Sequence, residues 1–208
     1  MLLYFIKKNG NKVKGTEFSI SSNKLINGIT VPVVNSKKIF NLKEKFNFII
    51  LSQVLPHLIS PLILIKKLKP LLLKKGIIYI SQPNIESVAF KFFKKNWFHL
   101  DIPRHLYHFD EINFIQFMEK NNLLLIKKKS IEIDHIFFGW IQSFMNIFLK
   151  RNLLFEYLTF YKKKLFFFDL AKIIILFFIF MPLSLILTLF ETLNLIKPSI
   201  TEYYFKKK

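Results

Sequence analysis

Apolar positions along the chain follow two rhythms: runs that alternate or stay apolar over strand length, and longer stretches spaced for one face of a helix. Residues 2–8 predict the end of a helix closed by Asn9-Gly10, and 11–19 alternate as a short strand ending at Glu17. Residues 20–27 predict a helical turn or two stopped by Gly28, and ITVPVV (29–34) predicts a second strand. FNFIILSQ (46–53) is nearly continuous in apolar residues, the pattern of a strand buried on both faces of a parallel sheet. Ser60-Pro61 opens a helix with apolar positions at Leu64, Ile65, Leu68, Leu71 and Leu72, stopping at Lys75-Gly76. IIYIS (77–81) reads as another buried strand, ended by Gln82-Pro83-Asn84.

A helix over 86–95 follows, then a loop, then a helix over 111–121 capped by Asp110 and ended at Asn121-Asn122. Residues 123–134 predict a strand with a polar middle. The stretch 137–196 is helical in pattern and strongly apolar, and SITEYYFKKK closes the chain as a strand. Strands alternating with helices predict an α/β sandwich around a mostly parallel sheet. The divisions are a core over 1–134, an apolar helical insertion over 135–197, and a final strand over 198–208 that returns to the core.

Composition adjusts this picture. A hydrophobic fraction of 52% over 208 residues excludes a disordered chain and suffices for one full core. The charge of +19 comes from lysines scattered along the chain rather than gathered in one stripe. Codon drift in an AT-rich genome explains such a distribution, and attraction to an anionic membrane is the functional alternative. Nucleic acid is not an expected partner, since no recognised module is present. Without cysteine there is no disulfide, thiolate site or cysteine nucleophile. The apolar run at the N-terminus is too short for a signal peptide, so a cytoplasmic location is expected. Residues 173–190 are long enough to span a membrane, although Pro182, Ser184 and Thr188 weaken that reading. Three readings stand for the insertion: an apolar cover docked peripherally on the inner face of the membrane, a buried helical hairpin turning at Pro182, and a true span.

Chemistry concentrates in WFHLDIPRHLYHF (97–109), which holds three of the five histidines and one of the two arginines. A metal reading would recruit His99, Asp101, His105 and His108, but Pro103 breaks the run, and no metal is expected. As a substrate-facing lid, the loop would anchor through its aromatics and present Arg104, whose planar fork suits a carboxylate or phosphate. Its histidines would supply a base near neutral pH.

These passages resemble the class I S-adenosylmethionine-dependent methyltransferases, in the bacterial branch related to the ubiquinone-biosynthesis methyltransferases. KFNFIILSQVLPHLISPLILIKKLKPLLLKKGIIYISQPN (45–84) is similar to that family's fourth strand, helix and fifth strand. VKGTEFS (13–19) is similar to its second strand, and the loop to its "W..LDxPRHLyHF" segment. The resemblance implies a Rossmann-like methyltransferase sandwich with S-adenosylmethionine as cofactor, held by Glu17, Ser52, Gln53 and His57. It further implies His105 and His108 as catalytic groups. Trp97, Asp101, Arg104 and Tyr107 would contact a small-molecule or lipid-linked acceptor. This chain departs from the family at several points. The first strand and the GxGxG turn are absent, so the chain is expected to be N-terminally truncated, beginning just past its main cofactor motif. Pro56, Lys75 and Asn47 replace family residues, and only Asn35 lies where an adenine-binding acid is expected. Weak cofactor binding follows, with a non-catalytic remnant as the alternative function.

Overall fold

The last strand, residues 200–207, decides how the main sheet is built. The computed structural model describes residues 2–17, 24–26, 28–159 and 167–208, and the chain divides into two compact units.

The first unit comprises Met1–Lys45 and Lys67–Leu71. Helix α1 (Leu2–Lys8) is followed by strands β1 (Gly15–Glu17), β2 (Lys24–Ile26), β3 (Ile29–Val31) and β4 (Val33–Asn35). Tyr4, Val31 and Val33 form its buried cluster. Strands β1 and β4 pair in parallel, so Glu17 and Asn35 end side by side in register. The expected helical turns over 20–27 are corrected where the chain is described: Lys24–Ile26 is a strand, and Ile26 faces Ile29 in an antiparallel hairpin. Asn-Gly between apolar pairs is a hairpin signal, and Gly28 takes the φ of +76° that such a turn demands. Residues 20–23 lie outside the described residues.

The second unit, Phe46–Lys66 and Leu72–Lys208, contains the four-stranded sheet. Its strands are β5 (Phe46–Ser52), β6 (Leu72–Pro83), β7 (Leu123–Lys129) and β8 (Ile200–Lys207), in the order β5-β6-β8-β7. Strand β5 runs parallel to β6, while β8 pairs antiparallel with both β6 and β7. Three strands therefore share one direction, with β8 inserted against them, so the sheet is mixed. The closing strand is where the sequence puts it. The expectation for β5 is corrected: it lies at one side of its sheet, and Phe48 is exposed.

Helix α2 (Pro61–Leu68) buries Leu64, Ile65 and Leu68 but stops early, because Pro70 disfavours helix at the residue before it. Strand β6 then runs through Gly76, where a turn was expected. Helices α3 (Val88–Phe93) and α4 (Glu111–Lys120) start at caps: Ser87 Oγ accepts from Phe90 N–H at 3.0 Å, and Asp110 Oδ1 from Asn113 N–H at 2.9 Å. On one sheet face Ile78, Ile80, Tyr203 and Phe205 are buried, and Phe114 of α4 packs on Tyr203 and Phe205. Each such side chain stabilises the fold by about 1.5–3 kcal/mol.

The apolar segment forms α5 (Ile133–Leu149), α6 (Leu153–Thr159) and α7 (Phe167–Thr192). The strand before it ends at Lys129 rather than 134, and α5 begins earlier than 137. Trp97, Trp140, Phe144 and Ile200 share one buried cluster, and Ile141, Met145, Leu153 and Ile173 another. Pro182 is not at a turn; it lies inside α7, and most of that helix's apolar side chains are exposed, which overturns the buried hairpin.

Candidate functional site

The sheet face opposite α4 carries polar side chains where β5 and β6 end. Register places Ser52 beside Ser81, Ser81 beside Glu202, and Tyr79 beside Tyr204, with the two tyrosine rings edge to face at 5.1 Å. Period-two alternation explains the grouping: the neighbours Ile78, Ile80, Tyr203 and Phe205 point to the α4 side. Open α/β sheets take their ligands at the carboxyl ends of parallel strands, and the parallel pair β5–β6 ends here.

Glu132, between β7 and α5, closes over this patch. Its carboxylate accepts from Tyr79 O–H at 2.8 Å, Ser52 O–H at 3.2 Å and Gln53 N–H at 3.2 Å. Gln53 reaches it because its own backbone is left-handed, with φ at 52°, and its N–H is fixed to the Ser81 carbonyl at 3.0 Å. Burial and the Glu132 carboxylate push the Tyr79 phenol far up, so it stays a donor. Glu202, also buried, accepts from Ile131 N–H at 2.6 Å. Sequence reasoning overlooked Glu132 and Tyr79. The one available signal was an acid just beyond a strand end, in SIEID.

The histidine loop is docked on the 3-10 turn Leu55–His57 that follows β5. Leu106 N–H donates to the Pro56 carbonyl at 2.8 Å, His57 Nδ1–H to the Arg104 carbonyl at 3.1 Å, and Tyr107 O–H to the Ile59 carbonyl at 2.9 Å. Three predicted residues thereby converge: His57 lies 4.5 Å from His105 between ring centroids, and His105 lies 5.7 Å from His108. His105 donates Nδ1–H to the His99 carbonyl at 2.8 Å, which leaves its Nε2 lone pair free, 3.9 Å from Asp101 Oδ2. Burial first, and less so the His57 ring, hold its pKa below the usual imidazole value, while the bond to the His99 carbonyl and then Asp101 partly offset them. His108 Nε2 is buried without a hydrogen-bond partner among the described residues.

The acceptor-side residues separate. Arg104 does not present an open fork: its Nε and Nη2 donate to Asp101 Oδ1 at 2.9 and 2.6 Å, and its guanidinium lies 5.0 Å over the Phe155 ring. Trp97 is core, buried with Phe93 and Trp140, and so anchors the loop. Trp97 and Asp101 nevertheless line a hollow of about 170 Å³ together with Ile102, Asn146, Arg151 and Asn152. That volume is below the roughly 300–1,000 Å³ of ordinary ligand pockets. His99 is wholly buried beside Gly139, and burial lowers its pKa to about 3.

Of the predicted cofactor set, Ser52, Gln53 and His57 lie within the second unit and Glu17 ends β1 in the first. Within the second unit the donor chemistry fits a nucleoside-bearing ligand, with hydroxyls and an amide at the ends of parallel strands. Ser52 and Gln53 now spend their donors on Glu132, so a ligand there must exchange those bonds.

A family model for a methyltransferase domain matches residues 1–128. Among solved structures, a putative sarcosine dimethylglycine methyltransferase from Galdieria sulphuraria superposes with a TM-score of 0.53 and 12% identity, covering 99% of this chain and 73% of that one. An S-adenosylmethionine-dependent methyltransferase from Archaeoglobus fulgidus gives 0.53 and 14%, over 99% and 80%. Coclaurine N-methyltransferase, bound to N-methylheliamine and SAH, gives 0.53 and 16%, over 98% and 63%. At these identities the likeness is one of fold. No curated protein sequence matches.

Proposed function

Because the chain belongs to the methyltransferase-domain family, we propose that it transfers a methyl group from S-adenosylmethionine to a small-molecule acceptor, free or lipid-linked. The observation that carries this reading is the polar patch of Ser52, Gln53, Tyr79, Ser81 and Glu132 at the ends of the parallel pair β5–β6. Ser52, Gln53 and His57 of the second unit would hold the cofactor. When bound, that group supplies a methyl carried on a sulfonium, which an acceptor lone pair displaces in line. The chain's own residues position the acceptor and exclude water. The loop 97–109, tied down on Pro56, His57 and Ile59, forms the cover, and Asp101 with Arg104 braces it. His105, with Nδ1–H fixed and Nε2 unprotonated, is the group equipped to take a proton from the acceptor.

A second reading, a non-catalytic member of the family, has its own support. Glu132 already occupies the donors of Ser52 and Gln53. Calorimetric titration with S-adenosylmethionine and SAH separates the two. Micromolar binding supports the enzyme; absence of binding at millimolar ligand removes it in favour of the second reading.

A further inference from the structure

Helix α7 is built inside out. Within residues 173–190 the only polar side chains are Ser184 and Thr188, and both are buried, at 0% and 4% exposure. Glu191, one turn further, is also fully buried; it accepts from Trp140 Nε1–H at 2.9 Å and from Ser199 N–H at 2.8 Å. Positions 184, 188 and 191 share one helical face, which is turned to the protein. The opposite face shows Ile175, Phe178, Ile179, Leu183, Ile186 and Phe190, with Phe178 exposed by 65% and Ile179 by 60%. A surface helix in water carries the reverse arrangement.

Charge identifies what covers this face. The chain carries 32 lysines and arginines against 13 acids. At the N-terminal end of α7, the exposed Lys172 and the pair Arg151–Asp169, 3.7 Å apart, stand at a cavity of about 470 Å³ walled by Phe148, Leu153, Ile175 and Leu176. With Arg151 paired to Asp169, Lys172 is the cation left at the apolar mouth, and with the chain's excess of cations it favours an anionic amphiphile. We propose that α7 is a bilayer-docking helix, its outward face seated in the acyl region of an anionic leaflet, with Lys172 at the level of the phosphates.

The helix lies along the leaflet and does not cross it. Its first turns pack through Ile173 on α5 and α6, and the chain leaving it enters β8 between β6 and β7. Both ends are thus tied to the same unit on one side of the membrane. Docking rests on α7 alone. That the acceptor is borne by lipid is a consequence that also needs the methyl-transfer reading, and vesicle binding is measured without it.

The test is co-sedimentation of the full chain with phosphatidylcholine vesicles, with and without phosphatidylglycerol, at low and high salt. The expected result is binding to the anionic vesicles, of which a substantial part survives about 1 M salt, where charges are screened beyond about 3 Å. Ile175→Glu with Ile179→Glu, at positions already exposed and so neutral to folding by circular dichroism, should weaken binding by about a hundredfold. Lys172→Glu should weaken binding about tenfold on anionic vesicles alone. Complete release by salt would overturn the proposal, leaving only lysine attraction. So would vesicle binding unaffected by the double substitution. A dimer by light scattering that this substitution dissociates, without vesicle binding, would instead make the face an interface between copies.

Discussion

Trp140 and Glu191 meet at 2.9 Å, indole N–H to carboxylate, in the interior between α5 and α7. The other carboxylate oxygen takes the backbone N–H and the hydroxyl of Ser199, so one buried acid joins both helices to the approach of β8. Burial outweighs those donors and raises the Glu191 pKa from 4.5 to about 7.

That shift fixes a pH dependence. Below the unfolded value of 4.5 both states are protonated and the contribution is complete. As pH rises through about 7 the unfolded chain ionises first, and stability falls by up to about 3 kcal/mol. Thermal melts of Glu191→Gln between pH 4.5 and 8 should lack this decline. A parallel decline in the variant assigns the effect elsewhere.

Gly139 should not tolerate a side chain. A Cβ there would stand 2.3 Å from His99 Nε2, and His99 is buried with no room to move away. Gly139→Ala is expected to cost about 1–3 kcal/mol, or about 2–4 °C in Tm for each kcal/mol. His99 itself acts in the opposite sense to Glu191. Its pKa of about 3 means that stability is complete above the unfolded value of 6.5 and is lost as pH falls toward 3.

Glu132→Ala frees Ser52 and Gln53 from their present acceptor. If these side chains hold the cofactor, calorimetry should show about tenfold tighter binding of S-adenosylmethionine, one exchanged hydrogen bond being worth about 0.5–1.5 kcal/mol. Unchanged affinity would take both residues out of the cofactor set.

Arg104→Lys loses the paired donation to Asp101 while keeping the charge. Methyl transfer to the true acceptor should fall severalfold in kcat/KM with cofactor affinity unchanged; equal turnover would exclude the loop as a cover.

His105 sets the acid limb of the rate profile. Because burial and His57 lower its pKa, the limb in kcat/KM should lie below pH 6.5, and His105→Gln should abolish it. A limb that persists in the variant belongs to another group.

The readable parts of the fold were those with local causes. Asp110 caps α4 through its own side chain, and SITEYYFKKK, following the long apolar helical stretch, reads as the closing strand β8. The unread parts depend on partners distant in sequence. Phe46–Ser52 has the apolar run of a strand flanked on both sides, yet its place in the sheet is set by pairing. Pro182 marks a break by propensity, but α7 continues through it, held on its inner face by Ile173 and Phe180 before the proline and by Leu187 and Glu191 after it. At the site, the meeting of His57 with His105 was legible only as two strand-end segments, and nothing local links Glu132 to Ser52, Gln53 and Tyr79.

The position of β8 between β6 and β7 constrains how the molecule is made. Strands β6 and β7 never touch; Ile77 waits for Lys206, and Leu123 for Lys207. During synthesis both strands emerge well before their shared partner, with open edges and apolar side chains, and the whole oily stretch of α5 to α7 intervenes. Such nonlocal closure is slow, and unpaired edges recruit other chains. The sheet therefore closes only after α5 to α7 have been made and β8 has slotted between strands formed much earlier.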